Sequence, residues 1–161
     1  MRYEDIIKVL EPIGITTTQN TLIRYEKQGL IPLADRASKG RPGRFSEYPE
    51  HIAEEFYASS RLLSGKYGNG ELGLLMGNVP AASPRSVKIA RELVMNWDHG
   101  EEMKNWPGLK NQLEKEKIRA YNQNDERNYI MANHYISFLA YAWEYERDRA
   151  RKLIKETEKP V

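Results

Sequence analysis

Near the start of the chain, apolar positions fall at helical spacings and break at turn residues. Tyr3, Ile6, Ile7 and Leu10 lie three and four apart, which predicts a helix packing one face inward, and Pro12 with Gly14 predicts the turn that follows. Leu22 and Tyr25 predict a second, shorter helix, with Gly29 where it should stop and Pro32 just beyond. Two caps compete for its start: Thr16 with Gln19 has the spacing of a capping box, and Thr18 serves equally as N-cap. Two helices joined by a short turn suggest helix-turn-helix. The polar face of the second helix carries Gln19, Asn20, Arg24 and Lys27, side chains suited to base edges and phosphates.

From Ile31 to Ser46 the periodicity is lost, and Pro32, Gly40, Pro42 and Gly43 alternate with cations. That composition favours two short strands joined by a turn, with Gly40-Arg41-Pro42-Gly43 at the tip. Pro49 suits the first position of a third helix, whose inner face is Ile52, Phe56 and Leu63 with Ala53 and Ser60, ending near Gly65. The glycine-rich stretch from Gly65 to Ser83, around Leu72, Leu74, Leu75 and Met76, reads as a loop with a short helix that closes the core of a first domain, residues 1–80.

The second half, residues 81–161, is helical in character. Ser83 and Pro84 predict the cap and first position of a helix to about Trp97, carrying Val87, Ala90, Leu93 and Val94. Asp98 to Gly108 reads as a linker, and Leu109 to about Tyr121 as a charged helical segment. Asp125 to about Thr157 contains neither Gly nor Pro, which predicts one long helix. Ala132, Tyr135, Leu139, Ala142 and Trp143 form its apolar stripe, with Ile136 and Phe138 beside it. Such a stripe needs a surface to bury against, and the expectation is a packing and dimerisation region built on Tyr135, Phe138, Leu139, Ala142 and Trp143. A small-molecule pocket is the alternative use of those side chains.

At 161 residues and 40% hydrophobic content the chain can build a modest core. Without cysteine it has no disulfide framework and no thiolate metal site. No window approaches the roughly 20 apolar residues of a membrane span, so a cytoplasmic protein is the expectation. The net charge of +2 says little about a polyanion partner, but its distribution says more. Arg36, Lys39, Arg41 and Arg44 occur without an acid between them, whereas Glu50, Glu54 and Glu55 crowd the following helix.

Candidate catalytic chemistry is thin. His51, His99 and His134 are too scattered for a metal site, and the pairs Glu54-Glu55 and Glu101-Glu102 fall on different helix faces rather than as acid and base. The glycine-rich segment lacks a Gly-Lys-Ser/Thr ending. Neither an enzyme, a cofactor nor a metal is expected.

Thr21, Leu22, Tyr25, Glu26, Gly29, Leu30, Ile31 and Pro32, followed by Arg36, a glycine-rich basic loop, Arg44 and Tyr48, resemble the DNA-binding domain of the MerR family of bacterial transcription regulators. That family's recognition helix commonly reads T-I-R-Y-Y-E-x-x-G-L-L-P before a wing. The resemblance covers roughly residues 1–76. It implies a winged helix-turn-helix with a small β-hairpin wing, and with the helical second half read from the pattern above the expectation is a mainly α fold that ends in the long C-terminal helix. It also implies a homodimer on double-stranded DNA, with Gln19, Asn20 and Arg24 at the major groove and Lys27 near the backbone. Arg36, Lys39, Arg41 and Arg44 would grip flanking phosphates, and the hydroxyls of Tyr25 and Tyr48 would reach others. This chain departs from the pattern in two places. Ile23 stands where the family usually has Arg, with Arg24 one place later and so turned by about 100° on a helix. The turn before the recognition helix is also about two residues longer.

Other readings remain beside these. The basic loop fits DNA contact or plain solvation, Tyr25 fits the core or a phosphate, and Lys27 fits the backbone of DNA or a solvated helix surface. The leading expectation is a sequence-specific transcriptional regulator. The alternatives are a structural or assembly adaptor on DNA, as in phage packaging or chromosome anchoring, and a protein-interaction module.

Overall fold

A computed structural model describes residues 1–36, 46–66, 81–99 and 126–158. The expected hairpin tip at 40–43, the short helix around 72–76, the linker beyond His99 and the segment 109–121 lie outside these residues.

Helix α1 spans Tyr3–Leu10, with Glu4 and Asp5 in its first turn and Lys8 in its last, the charge order that complements the helix dipole. Ile6 and Leu10 are fully buried. A 3-10 turn, Glu11–Ile13, and a left-handed Gly14 at φ 90° then redirect the chain. Thr18 is the cap that operates at the next helix, its Oγ1 accepting from the Thr21 amide at 3.3 Å. Helix α2 therefore runs Gln19–Lys27. It closes in a Schellman motif: the Leu30 amide donates to the Tyr25 carbonyl at 3.0 Å, and the Gly29 amide to Glu26 at 3.1 Å. Gly29 adopts φ 72°, and a Cβ there would also come within 3.0 Å of the Lys88 stem. The left-handed backbone selects glycine.

Two short strands follow, β1 (Asp35–Arg36) and β2 (Ser46–Glu47). They pair antiparallel, Asp35 opposite Glu47 and Arg36 opposite Ser46. Helix α3 begins at Ile52, three residues after Pro49, because the backbone at His51 is not yet helical and the Ile52 amide donates to the Pro49 carbonyl across a turn. It ends at Leu63, before Gly65 in a second Schellman motif, in which the Lys66 amide donates to the Arg61 carbonyl. Helix α4 spans Pro84–His99 and continues through the first two residues of the expected linker. Ser83 caps it, accepting from the Ser86 amide at 3.2 Å. Helix α5 spans Glu126–Glu158, 33 residues. The architecture is mainly helical, with this long helix at its C-terminal end.

α3 is the centre of the molecule. Helices α1, α4 and α5 all pack against it, and α5 also lies along α4. Ile52 through Ser59 are consequently all buried, although only one face of α3 is apolar by spacing. Its polar side chains meet partners in the other helices. Arg91 Nε of α4 donates to Glu55 Oε1 at 2.6 Å, and Arg61 of α3 faces the buried Glu146 of α5 at 3.5 Å. Burial raises the Glu55 carboxyl above its ordinary range, and the charge and hydrogen bond of Arg91 offset part of that rise.

A single apolar cluster runs from Ile6 and Leu22 through Phe56 and Leu62 to Val87, Val94, Leu139 and Trp143. It crosses the boundary expected at residue 80. The C-terminal stripe is also reassigned: Leu139, Ala142 and Trp143 are all 0% exposed within one chain. Buried inside one chain, where α5 packs on α3 and α4, these three side chains present no surface to a second copy. The side chains of Tyr135 and Phe138 lie outside the described residues.

Candidate nucleic-acid interface

Helix α2 is too short to be stable alone, and tertiary contacts fix which side it shows. Leu22, Tyr25 and Glu26 point inward and are buried. Asn20, Arg24 and Lys27, at spacings of four and three, form an exposed stripe on the opposite side. Gln19 lies at the edge of that stripe, half-buried, because it is seven residues before the buried Glu26 and shares its side of the helix. Arg24 also stands 5.9 Å from the centre of the Tyr25 ring.

Both tyrosines assigned to phosphates turn out to be core residues. Tyr25 stacks on Phe56, with centroids 4.5 Å apart and planes 17° from parallel, and is 7% exposed. Burial raises the pKa of its hydroxyl, partly countered by the neighbouring Ser60 side chain and the Arg24 charge. Tyr48 is 5% exposed and donates its hydroxyl to Glu26 Oε2 at 3.1 Å. An apolar ring at an inward position takes its hydroxyl inside with it.

Glu26 is the residue whose role the sequence left unread. The residue is 4% exposed, and its carboxylate accepts from the Ala34 amide at 2.7 Å as well as from Tyr48. Ala34 directly precedes β1 and Tyr48 directly follows β2, so one side chain of α2 holds both ends of the ladder. The backbone of Met1 reinforces the second end, exchanging hydrogen bonds with Tyr48 at 2.7 and 2.8 Å. A signal was available: Glu26 follows Leu22 by four, a charged residue at a position of the inner stripe.

Ser59 makes a second junction, at the turn that ends α2. Fully buried, it donates to the Leu30 carbonyl at 2.7 Å and accepts from the Trp143 indole at 3.0 Å. The turn that ends α2 is thereby connected through α3 to α5. Serine at this position satisfies two groups that would otherwise be buried without partners.

Of the expected basic group, Arg36 stands in β1. Its side chain, and Lys39, Arg41 and Arg44 altogether, lie outside the described residues. Among the described residues no helix is long and apolar enough to cross a membrane. No family model, no curated protein and no solved structure matches the chain.

Proposed function

We propose that this protein is a cytoplasmic, sequence-specific DNA-binding transcription regulator of MerR-like type, acting as a homodimer. One observation carries the reading: α2 is held by its inner face while the stripe Asn20, Arg24 and Lys27 stays exposed. A major groove about 12 Å wide admits one helix, and Asn and Arg have the donors and acceptors to read base edges there. Lys27 and a hairpin wing bearing Arg36, Lys39, Arg41 and Arg44 then supply phosphate contacts. In this reading the Glu26 clamp serves to fix the wing against the recognition helix. The dimer contact comes from surfaces other than Leu139, Ala142 and Trp143.

Selection of bound duplexes from a random pool, combined with the solution mass of the free protein, tests it. The expected result is one inverted repeat and a dimer mass. Substituting Arg44→Ala should weaken binding to every sequence and lower the salt slope by about one for each phosphate that is no longer neutralised. Equal affinity for all duplexes with a larger oligomer would favour a packaging or anchoring adaptor, and no salt-dependent binding would leave a protein-interaction module.

A further inference from the structure

A cleft of about 300 Å³ opens where the residues flanking the β1–β2 ladder meet helices α3, α4 and α5, and its lining is predominantly apolar. Pro32, three residues before β1, and Pro49, two after β2, contribute to it from the ladder, and Met95 from α4. Arg91 of α4, with Arg147 and Arg151 of α5, also line it. Arginine stems are hydrocarbon, which is how a wall with three of them can still be predominantly apolar.

Each of these arginines has an acid beside it. Arg91 Nε donates to Glu55 Oε1 at 2.6 Å. Arg147 Nε lies 3.4 Å from Asp148, and Arg151 lies 3.7 Å from Asp148 and 3.9 Å from Glu54. Three guanidinium groups are thus set against three carboxyl groups around the cleft, so its charges answer one another. A charged ligand would give up its hydration for a site whose own charges already cancel, a cost that an uncharged ring does not meet.

We propose that this cleft binds a small uncharged aromatic molecule against Pro32, Pro49 and Met95. A methionine thioether makes a favourable contact with an aromatic ring beyond the area it buries. Proline rings are rigid apolar walls that lose no rotamer freedom when a ligand packs on them. An apolar cavity of about 150 Å³ is enough to take one benzene ring. At about 300 Å³ the cleft suits a fused bicycle the size of indole, at the small end of the usual range for ligand sites.

Titration calorimetry of the full chain without DNA tests the site, with indole as the probe and indole-3-carboxylate as its charged counterpart. Indole should bind saturably at one per chain, and the carboxylate about tenfold more weakly or worse. Met95→Trp fills the cleft with an aromatic bicycle of the chain's own and should abolish indole binding. Pro49→Asp, at an exposed position of the same lining, adds a charge to the wall and should weaken indole about tenfold, which keeps the test decisive should the larger side chain disturb the fold. Absence of saturable indole binding, carboxylate binding as tight as that of indole, or binding unchanged in both variants would overturn the proposal. No DNA enters the experiment, so its result is independent of the reading of α2.

Discussion

Helices α2 and α5 are both amphipathic, and the fold uses them in opposite ways. α2 hides a narrow apolar side, Leu22 and Tyr25 with the polar Glu26 among them, and its exposed polar stripe carries the candidate function. In α5 the conspicuous side is the apolar one, and it is consumed inside the chain, with Leu139, Ala142 and Trp143 closed over by α3 and α4. An apolar stripe states that a surface is required. It does not state whether the same chain or a second copy provides it.

The sharpest way to break this comparison is Trp143→Ala. Removing a fully buried indole should cost about 3–5 kcal/mol of unfolding free energy, measured in urea, with the solution mass unchanged. A variant of native stability that had lost an oligomer would return the stripe to an intermolecular role. Next in size is the clamp. Glu26→Ala leaves the Ala34 amide and the Tyr48 hydroxyl without their acceptor, at a cost of about 2–4 kcal/mol in thermal or urea unfolding. Glu26→Gln should recover a good part, since an amide can accept from Ala34 and donate to the Tyr48 oxygen. If alanine and glutamine variants melted alike, hydrogen bonding would not be what holds the ladder to α2.

Arg24→Ala probes the exposed side instead. It should weaken binding to the selected duplex by about 1–3 kcal/mol and change unfolding by no more than about 0.5 kcal/mol. Unchanged affinity in a gel-shift titration would remove Arg24 from the interface. The smallest effect concerns pH. The Glu55 carboxyl is raised by burial above its ordinary value of 4.5, so the folded state binds that proton more tightly than the unfolded chain. Its contribution to stability is therefore fullest below pH 4.5 and declines as pH rises through the raised value. Glu55→Gln should flatten that part of the stability profile relative to the parent chain, and a parallel profile would show that Glu55 does not titrate there.

The helices were legible because their signals are local. Tyr3 to Leu10, the stop at Gly29, the Ser83 cap and the long run from Asp125 each depend on neighbours within a turn or two, and the structure has helices at those places. The boundary at α3 was less legible, because Pro49 fits either a turn or a first helical position. Tyr25, which the spacing left between core and phosphate, and Tyr48, read as a phosphate ligand, both joined the core for a different reason. A tyrosine has both an apolar ring and a polar tip, and only its tertiary surroundings decide which governs its position.

Sequence by itself determined the order of the described helices, the Ser83 cap and the polar stripe of α2, because helix propensity, capping and periodicity act over a few residues. Tertiary structure alone decided what lies between elements: Glu26 joining the two ends of the ladder, Ser59 joining α2 to α5, and Arg91 meeting Glu55. Ser59 and Trp143 are 84 positions apart, and no local spacing encodes that meeting. Only close packing around α3 brings such groups together, and the need to satisfy every buried polar atom then selects the residues found there.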